Sequence, residues 1–321
     1  MHVHMKTAVR ATAGLGKTKR RRLSDRKSLK LLLLAAPVII YVFIFNYLPM
    51  GGIILAFKDY NYASGILGSK WVGLENFKHF FQSNAALKVT LNTLGYNFVF
   101  IILGTVLNLA VALLLNEIRN RSAIKYYQTT MFFPYFLSWV VVAYILYGFI
   151  SPAYGVFNKI VEALGGQVQN WYQYPKAWPA ILVIAHLWKG MGMGVLINYA
   201  VLIGIDPSYY EAAAVDGAKK WQMVWNISLP FVVPVVVMQI ILAIGKIFFA
   251  DFGLFYQLPQ NSAILQDVTD VIDTYVYRML IDRNEIGISS AVGLYQSFVG
   301  LILIVITNKI VSKIDEDSAL F

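Results

Sequence analysis

Six stretches of this chain are each long and apolar enough to cross a lipid bilayer, and no other feature narrows its possible folds as far. A helical span needs about 20 mainly apolar residues to cross roughly 30 Å of hydrocarbon. The stretches run near Leu31–Phe57, Val89–Leu115, Tyr127–Ile150, Pro179–Ile203, Val232–Phe252 and Ile288–Val311. Hydrophobic residues make up 58% of the 321 and charged residues only 14%. Soluble domains sit near 45–50% apolar and about 25% charged, so part of this apolar surplus must face lipid. The first apolar run is too long for the core of a cleavable signal, and no clean small-residue cleavage site follows it. It is therefore a retained helix. The fold class is an all-α polytopic membrane bundle of about six spans, with a basic tail at 1–30 and a transmembrane domain over 31–321.

Basic residues set the expected orientation, because short cytoplasmic segments carry an excess of Lys and Arg. Lys6–Lys30 holds ten of them and one acid, Asp25. With this tail inside, the cytoplasmic segments carry 17 Lys or Arg and the outer segments 8. Both termini are then cytoplasmic. Such a tail could also bind nucleic acid or anionic lipid, but fixing topology is the simpler role. Two connections, Lys58–Lys88 and Ser151–Trp178, are expected outside, lying on the membrane surface. The segment before the last span holds Asp267, Asp270, Asp273, Asp282 and Glu285. It reads as a solvated acidic stretch on the outer side.

Several kinds of chemistry are excluded or weakly signalled. There is no cysteine, which removes disulfides, thiolate metal sites and thiol catalysis. Ala11-Thr12-Ala13-Gly14-Leu15-Gly16-Lys17-Thr18 fits a relaxed phosphate-loop pattern, but a basic run follows it instead of the required helix, and no buried strand precedes it. Gly190, Gly192 and Gly194 lie inside a span, where glycines let helices approach closely. The four histidines are too scattered for a metal site, and no acid pair or nucleophile constellation stands out. The chain is not expected to be an enzyme, nor to hold a metal or cofactor of its own.

The informative connection is 204–231. Asp206 followed by Pro207 is a good helix start, and Ser208 with Glu211 fits a capping box. Ala212, Ala213 and Ala214 give high helix propensity with almost no side-chain bulk. Gly217 permits positive φ and ends the helix. A second short helix can begin near Lys219 and run toward Pro230. The expected product is a bent pair of small helices whose alanine-lined crown suits another protein's cleft.

At these residues a resemblance becomes specific. Glu211-Ala212-Ala213, Asp216-Gly217, Ile227 and Leu229-Pro230 are similar to the EAA loop of permeases of ATP-binding-cassette (ABC) importers, at that family's spacing. A locally capped helix–turn–helix would account for Glu211 but not for the whole set. The strings Phe45–Gly51, Asn116–Arg119, Phe133–Trp139 and Asp273–Arg278 resemble the carbohydrate-uptake class, and within it the permeases of complex-polysaccharide importers, alginate importers among them. The resemblance covers nearly the whole chain and implies a type-I importer (MetI-like) core. It implies that Glu211, Ala212, Ala213, Asp216 and Gly217 couple the spans to a separate ATPase, with Glu211 meeting a basic residue there. It also implies two ATPase copies that bind ATP and magnesium, a second similar permease and an extracytoplasmic sugar-binding protein, all at a bacterial inner membrane.

Sugar hydroxyls cannot cross hydrocarbon unpaired, so the path must be lined by protein polar groups. Candidates within the spans are Tyr144, Tyr147, Trp188, Lys189, Asn198, Tyr199, Gln239 and Lys246. A cation inside a span usually faces a cavity or a partner, which singles out Lys189 and Lys246 for an anionic cargo such as a uronate glycan. Lys189 could instead snorkel to the surface. The rival is a self-contained secondary transporter or channel, which would need a membrane-embedded acid that the span interiors lack. A membrane-bound glycan enzyme would need paired acids or a metal-binding carboxylate motif.

Overall fold

The computed structural model describes residues 26–314. The phosphate-loop-like string and most of the basic tail lie outside the described residues, and the chain divides into two units between Gly52 and Ile53. In the first unit, α1 (Arg26–Val42) contains Pro37 and passes into a π-helical turn, Phe43–Tyr47. A 3₁₀ stretch, Leu48–Phe57, follows.

The second unit starts at Ile53, within that stretch, and continues into a two-stranded antiparallel ribbon of β1 (Lys58–Asp59) and β2 (Lys70–Trp71), bracketing α2 (Gly65–Gly68). The Lys58 ammonium donates to the carbonyls of Ile66 and Leu67 at 2.8 and 2.9 Å, closing this loop on itself. Then come α3 (Glu75–Gln82), α4 (Asn84–Asn116) and α5 (Arg121–Phe132). Next are α6 (Trp139–Ile150), α7 (Val156–Ala163) and α8 (Trp178–Ile203). The short helices α9 (Pro207–Val215) and α10 (Lys220–Met223) precede α11 (Leu229–Gly245). The chain finishes with α12 (Phe252–Gln257), α13 (Gln266–Thr269), α14 (Ile272–Ile281) and α15 (Ile286–Ile314).

Among the described residues, five helical segments are long and apolar enough to span a membrane, and a sixth span is broken. That one is the segment expected at Tyr127–Ile150. It divides into Arg121–Phe136 and Trp139–Ile150, bent by 102°. Pro134 and the Ser138 cap explain the break: the Ser138 hydroxyl accepts from Val141 N–H and starts a new helix. The fifth span also departs from expectation. Its helix ends at Gly245, seven residues short of Phe252, and 246–251 is irregular.

Backbone released inside a membrane must be re-paired by protein, and side chains from three elements do this. Asn97 of α4 donates to the Ile247 and Phe249 carbonyls at 2.9 and 3.1 Å. Gln296 of α15 donates to the Phe248 carbonyl at 2.9 Å. Ala250 N–H donates to the Asp273 carboxylate at 2.8 Å.

Buried apolar side chains form three clusters along the unit. Phe80, Val89, Ile272, Tyr275 and Val292 pack near the start of α4. Tyr96, Phe100, Val142, Trp178, Leu182 and Leu254 join α4, α6, α8 and α12. Ala112, Leu115, Val195, Leu202 and Val232 close the far end. Of the glycines in α8, Gly192 makes the closest approach to another backbone: a Cβ there would lie 2.5 Å from the Met131 carbonyl oxygen and 2.6 Å from Phe132 Cα. The close packing expected of that glycine run is present at Gly192 and Gly194, while Gly190 has open space beside it.

The acidic stretch is not uniformly solvated. Asp267 is exposed and pairs with Lys88 at 2.5 Å. Asp270 is buried, pairs with Arg278 and accepts from the Thr274 hydroxyl at 2.6 Å. Asp273 accepts from Ala250 N–H and from Gln296. Asp267, Asp270 and Asp273 stand three residues apart, a spacing that would suit one helix face, but α13 ends between Asp267 and Asp270, and the chain turns them toward different partners.

Candidate functional site

At the end of the bundle formed by the α4–α5 and α8–α11 connections, α9 and α10 make the bent pair expected from the sequence. The Asp206 carboxylate accepts from Ser208 N–H at 2.9 Å and caps α9. That hydrogen bond holds its carboxyl below the usual carboxylate range. The cap is therefore Asp206, with Pro207 at the first helical position, and not the Ser208–Glu211 box. The helix closes with Gly217 at φ +77°, while Gly217 N–H bonds the Ala214 carbonyl (3.1 Å) and Ala218 N–H the Ala213 carbonyl (2.9 Å). This is a Schellman closure, which requires a left-handed residue where Gly217 stands.

Glu211, Ala212, Asp216 and Gly217 are exposed and Ala213 is half-buried. Among the described residues Glu211 has no ion pair. The crown is thus a small-residue surface with two exposed carboxylates, Glu211 and Asp216, that make no ion pair among the described residues. Its base is fixed by two contacts that spacing did not reveal: Lys220 pairs with Glu117 from the α4–α5 connection, and the Tyr210 and Ser228 hydroxyls meet at 2.9 Å.

Within the spans, α4, α8 and α11 enclose a cavity of about 320 Å³. Its polar lining comes from Asn97, Thr105, Asn108, His186, Gln239 and Lys246. Lys246 caps the end of α11, where a cation complements the helix's exposed carbonyls. It has no acidic partner among the described residues. Gln239 donates to Asn198 Oδ1 at 2.9 Å, and Asn198 is buried. The Asn108 side-chain oxygen is buried without a hydrogen-bond partner, and the His186 ring stacks on Phe100 at 3.7 Å.

The sequence-chosen path residues therefore separate. Gln239 and Lys246 share this cavity, with Asn198 behind Gln239. Lys189 lies elsewhere, donating to the Tyr135 carbonyl at 3.0 Å with its ammonium over the Tyr135 and Trp139 rings. It holds the broken span. Trp188 lines a separate apolar cavity of about 390 Å³ between α6 and α8, and Tyr144 lines a third, near the turn after α12. Tyr147 pairs with Tyr154 at 3.5 Å, and Tyr199 packs against the cluster at the far end. Asn97, Asn108 and His186 were not singled out from sequence. Isolated polar residues in long apolar runs give no signal of which face they occupy.

Residues 104–316 match the family described as "Binding-protein-dependent transport system inner membrane component". The chain is 35% identical to Protein LplB of Bacillus subtilis (strain 168) over 306 residues, covering 95% of each. It is 33% identical to the polygalacturonan/rhamnogalacturonan transport system permease protein YteP of the same organism, covering 94% of each. In three dimensions it is similar to a chain in the crystal structure of a bacterial ABC transporter that imports the acidic polysaccharide alginate. There the TM-score is 0.82 at 29% identity, over 90% of this chain and 97% of that one.

Proposed function

As this chain belongs to the binding-protein-dependent transport system inner membrane component family and is a transmembrane subunit of an ATP-binding-cassette sugar importer, we propose that the glycan it carries is acidic. One observation carries the proposal: Lys246 stands in a membrane cavity whose other polar lining is Asn97, Asn108, Gln239, Thr105 and His186, with no acid to neutralise it among the described residues. A cation in a span is held where a partner or cargo meets it. The carboxylate of a uronate unit is such a cargo. Two of the similar proteins point the same way, since polygalacturonan and alginate are both acidic polysaccharides.

Energy enters through Glu211, Ala212, Ala213, Asp216 and Gly217. The exposed carboxylate of Glu211 meets a basic residue of an ATPase subunit, and the alanines allow close approach. ATP and magnesium bind that partner. Closure of the ATPase dimer draws the docked loops of this chain and of a second, similar permease together, and the spans turn to the outer side. Hydrolysis resets them, and a binding protein delivers the cargo. The N- and C-termini, the α9–α10 pair and the Glu117–Lys220 contact are then cytoplasmic, in an inner membrane. A self-contained secondary transporter does not accord with the family.

The test is ATP hydrolysis by the whole importer in liposomes, with uronate and neutral oligosaccharides supplied with the binding protein. Stimulation by uronates, lost in Glu211→Ala and shifted toward neutral sugars in Lys246→Gln, supports both assignments. Stimulation by neutral sugars alone removes the acidic cargo and keeps the importer.

A further inference from the structure

The third cavity, about 460 Å³, lies between the first half of α6 and the turn that follows α12. It shares no lining residue with the Lys246 cavity. Two aromatic rings line it. Tyr144 is 74% exposed, a high value for a tyrosine with so much apolar ring surface. Tyr256 is held from behind, stacked on Phe252 at 5.0 Å and edge-on to Tyr277 at 5.0 Å. Three residues with side-chain amides, Gln257, Gln260 and Asn261, line the same cavity.

The backbone presenting two of these amides is unusual. Gln260 and Asn261 are consecutive non-glycine residues at φ 55° and 50°. Asparagine tolerates the left-handed region, but glutamine seldom visits it. The conformation is held by the turn's own hydrogen bonds, Gln260 N–H to the Gln257 carbonyl (3.2 Å) and Asn261 N–H to the Tyr256 carbonyl (3.3 Å). Asn261 Oδ1 also accepts from Arg278 at 3.5 Å, and Arg278 is pinned by Asp270. Strain maintained by its surroundings is the mark of a position kept for a task other than folding.

Rings beside amides are the complement of a sugar unit. Its C–H face packs on an aromatic ring, and its hydroxyls both donate to and accept from a carboxamide. A lipid chain would find the amides unpaired, and a free anion would find no cation lining the cavity. We propose that this cavity is a second glycan subsite, in which Tyr144 and Tyr256 pack against one sugar unit and Gln257, Gln260 and Asn261 bond its hydroxyls while another unit of the same chain occupies the Lys246 cavity. The proposal rests on the sugar-importer reading and adds to it a requirement for chain length.

The test compares a uronate disaccharide with a pentasaccharide as stimulants of ATP hydrolysis by the reconstituted importer. Tyr144→Ala is expected to lower the ratio of pentasaccharide to disaccharide stimulation about five-fold, the worth of one aromatic packing contact. Tyr144→Phe keeps the ring and should keep the ratio. Gln260→Gly removes an amide while relaxing the backbone, so it should lower the ratio without lowering the melting temperature. Equal loss at both lengths makes Tyr144 merely structural and overturns the subsite, as does an unchanged ratio. If the wild-type importer answers to neither uronates nor neutral sugars, the sugar reading itself falls, and the subsite with it.

Discussion

The side-chain amide of Gln239 donates a 2.9 Å hydrogen bond to Asn198 Oδ1, joining α11 to α8 at the wall of the Lys246 cavity. Asn198 is 1% exposed, so its oxygen has no water to fall back on. Asn198→Leu strands the Gln239 amide and is expected to destabilise the solubilised importer by about 0.6–1.7 kcal/mol, the range for hydrogen bonds between membrane helices. The double variant with Gln239→Leu should recover part of that loss, because the stranded group is gone. Thermal unfolding of the four proteins reads the coupling. Strictly additive losses would mean that the bond does not join the helices in the membrane.

Gly217 holds φ +77° in the turn that ends α9. An L residue there costs about 1–2 kcal/mol, and proline also removes the N–H that bonds the Ala214 carbonyl. Gly217→Pro should abolish cargo-stimulated ATP hydrolysis while the spans still insert, and Gly217→Asn should retain more of it than Gly217→Ala. Undiminished uptake by Gly217→Pro would remove this loop from the coupling.

Arg278 and Asp270 form an ion pair with side-chain exposures of 12% and 10%. Removing one partner of a buried pair leaves an uncompensated charge and costs about 3–5 kcal/mol. Arg278→Met should therefore lower the melting temperature sharply. Arg278→Met with Asp270→Asn should restore much of it. Failure of the second change to rescue would indicate that Arg278 acts through packing or through Asn261.

Burial pushes the Asp273 carboxyl above its usual range, against the hydrogen bonds from Ala250 N–H and Gln296 that pull it down; the nearby Asp251 adds to the rise. A carboxyl raised in the folded state stabilises the fold fully below its unfolded pKa of about 3.9. That contribution is lost as pH rises through the folded value. Asp273→Asn, which keeps an acceptor, should flatten part of the decline in melting temperature between those two values. Part of the slope will remain, because burial also raises Asp270. An unchanged pH profile would mean that Asp273 titrates normally.

The spans were legible because about 20 consecutive apolar residues have one stable home, and length alone decides the matter. The α9–α10 pair was legible for a different reason. Its signals are local: Asp206 before Pro207, three alanines, and a glycine at the one backbone position that needs it. Hydrogen bonds between residues two to five apart do not depend on what packs around them. One feature inside the spans escaped the same reading. The break at Gly245 lies in a run that is apolar on both sides of Lys246, and it persists because Asn97, Gln296 and Asp273, distant in sequence, supply the missing hydrogen bonds.

The division of labour between the two intramembrane lysines lay deeper still. Both break an apolar run, and in sequence they are equivalent. The fold turns Lys189 onto the Tyr135 carbonyl and leaves Lys246 facing a cavity. The acids divide likewise, Asp270 onto Arg278 and Asp267 onto Lys88. By itself the sequence determined an all-helical membrane protein with a capped, glycine-terminated helix pair between its fourth and fifth spans, because hydropathy and capping act over a few residues. Which polar side chains face one another, and which are left facing a cavity, only the tertiary structure decided, because a charge in hydrocarbon takes its role from whatever distant segment reaches it.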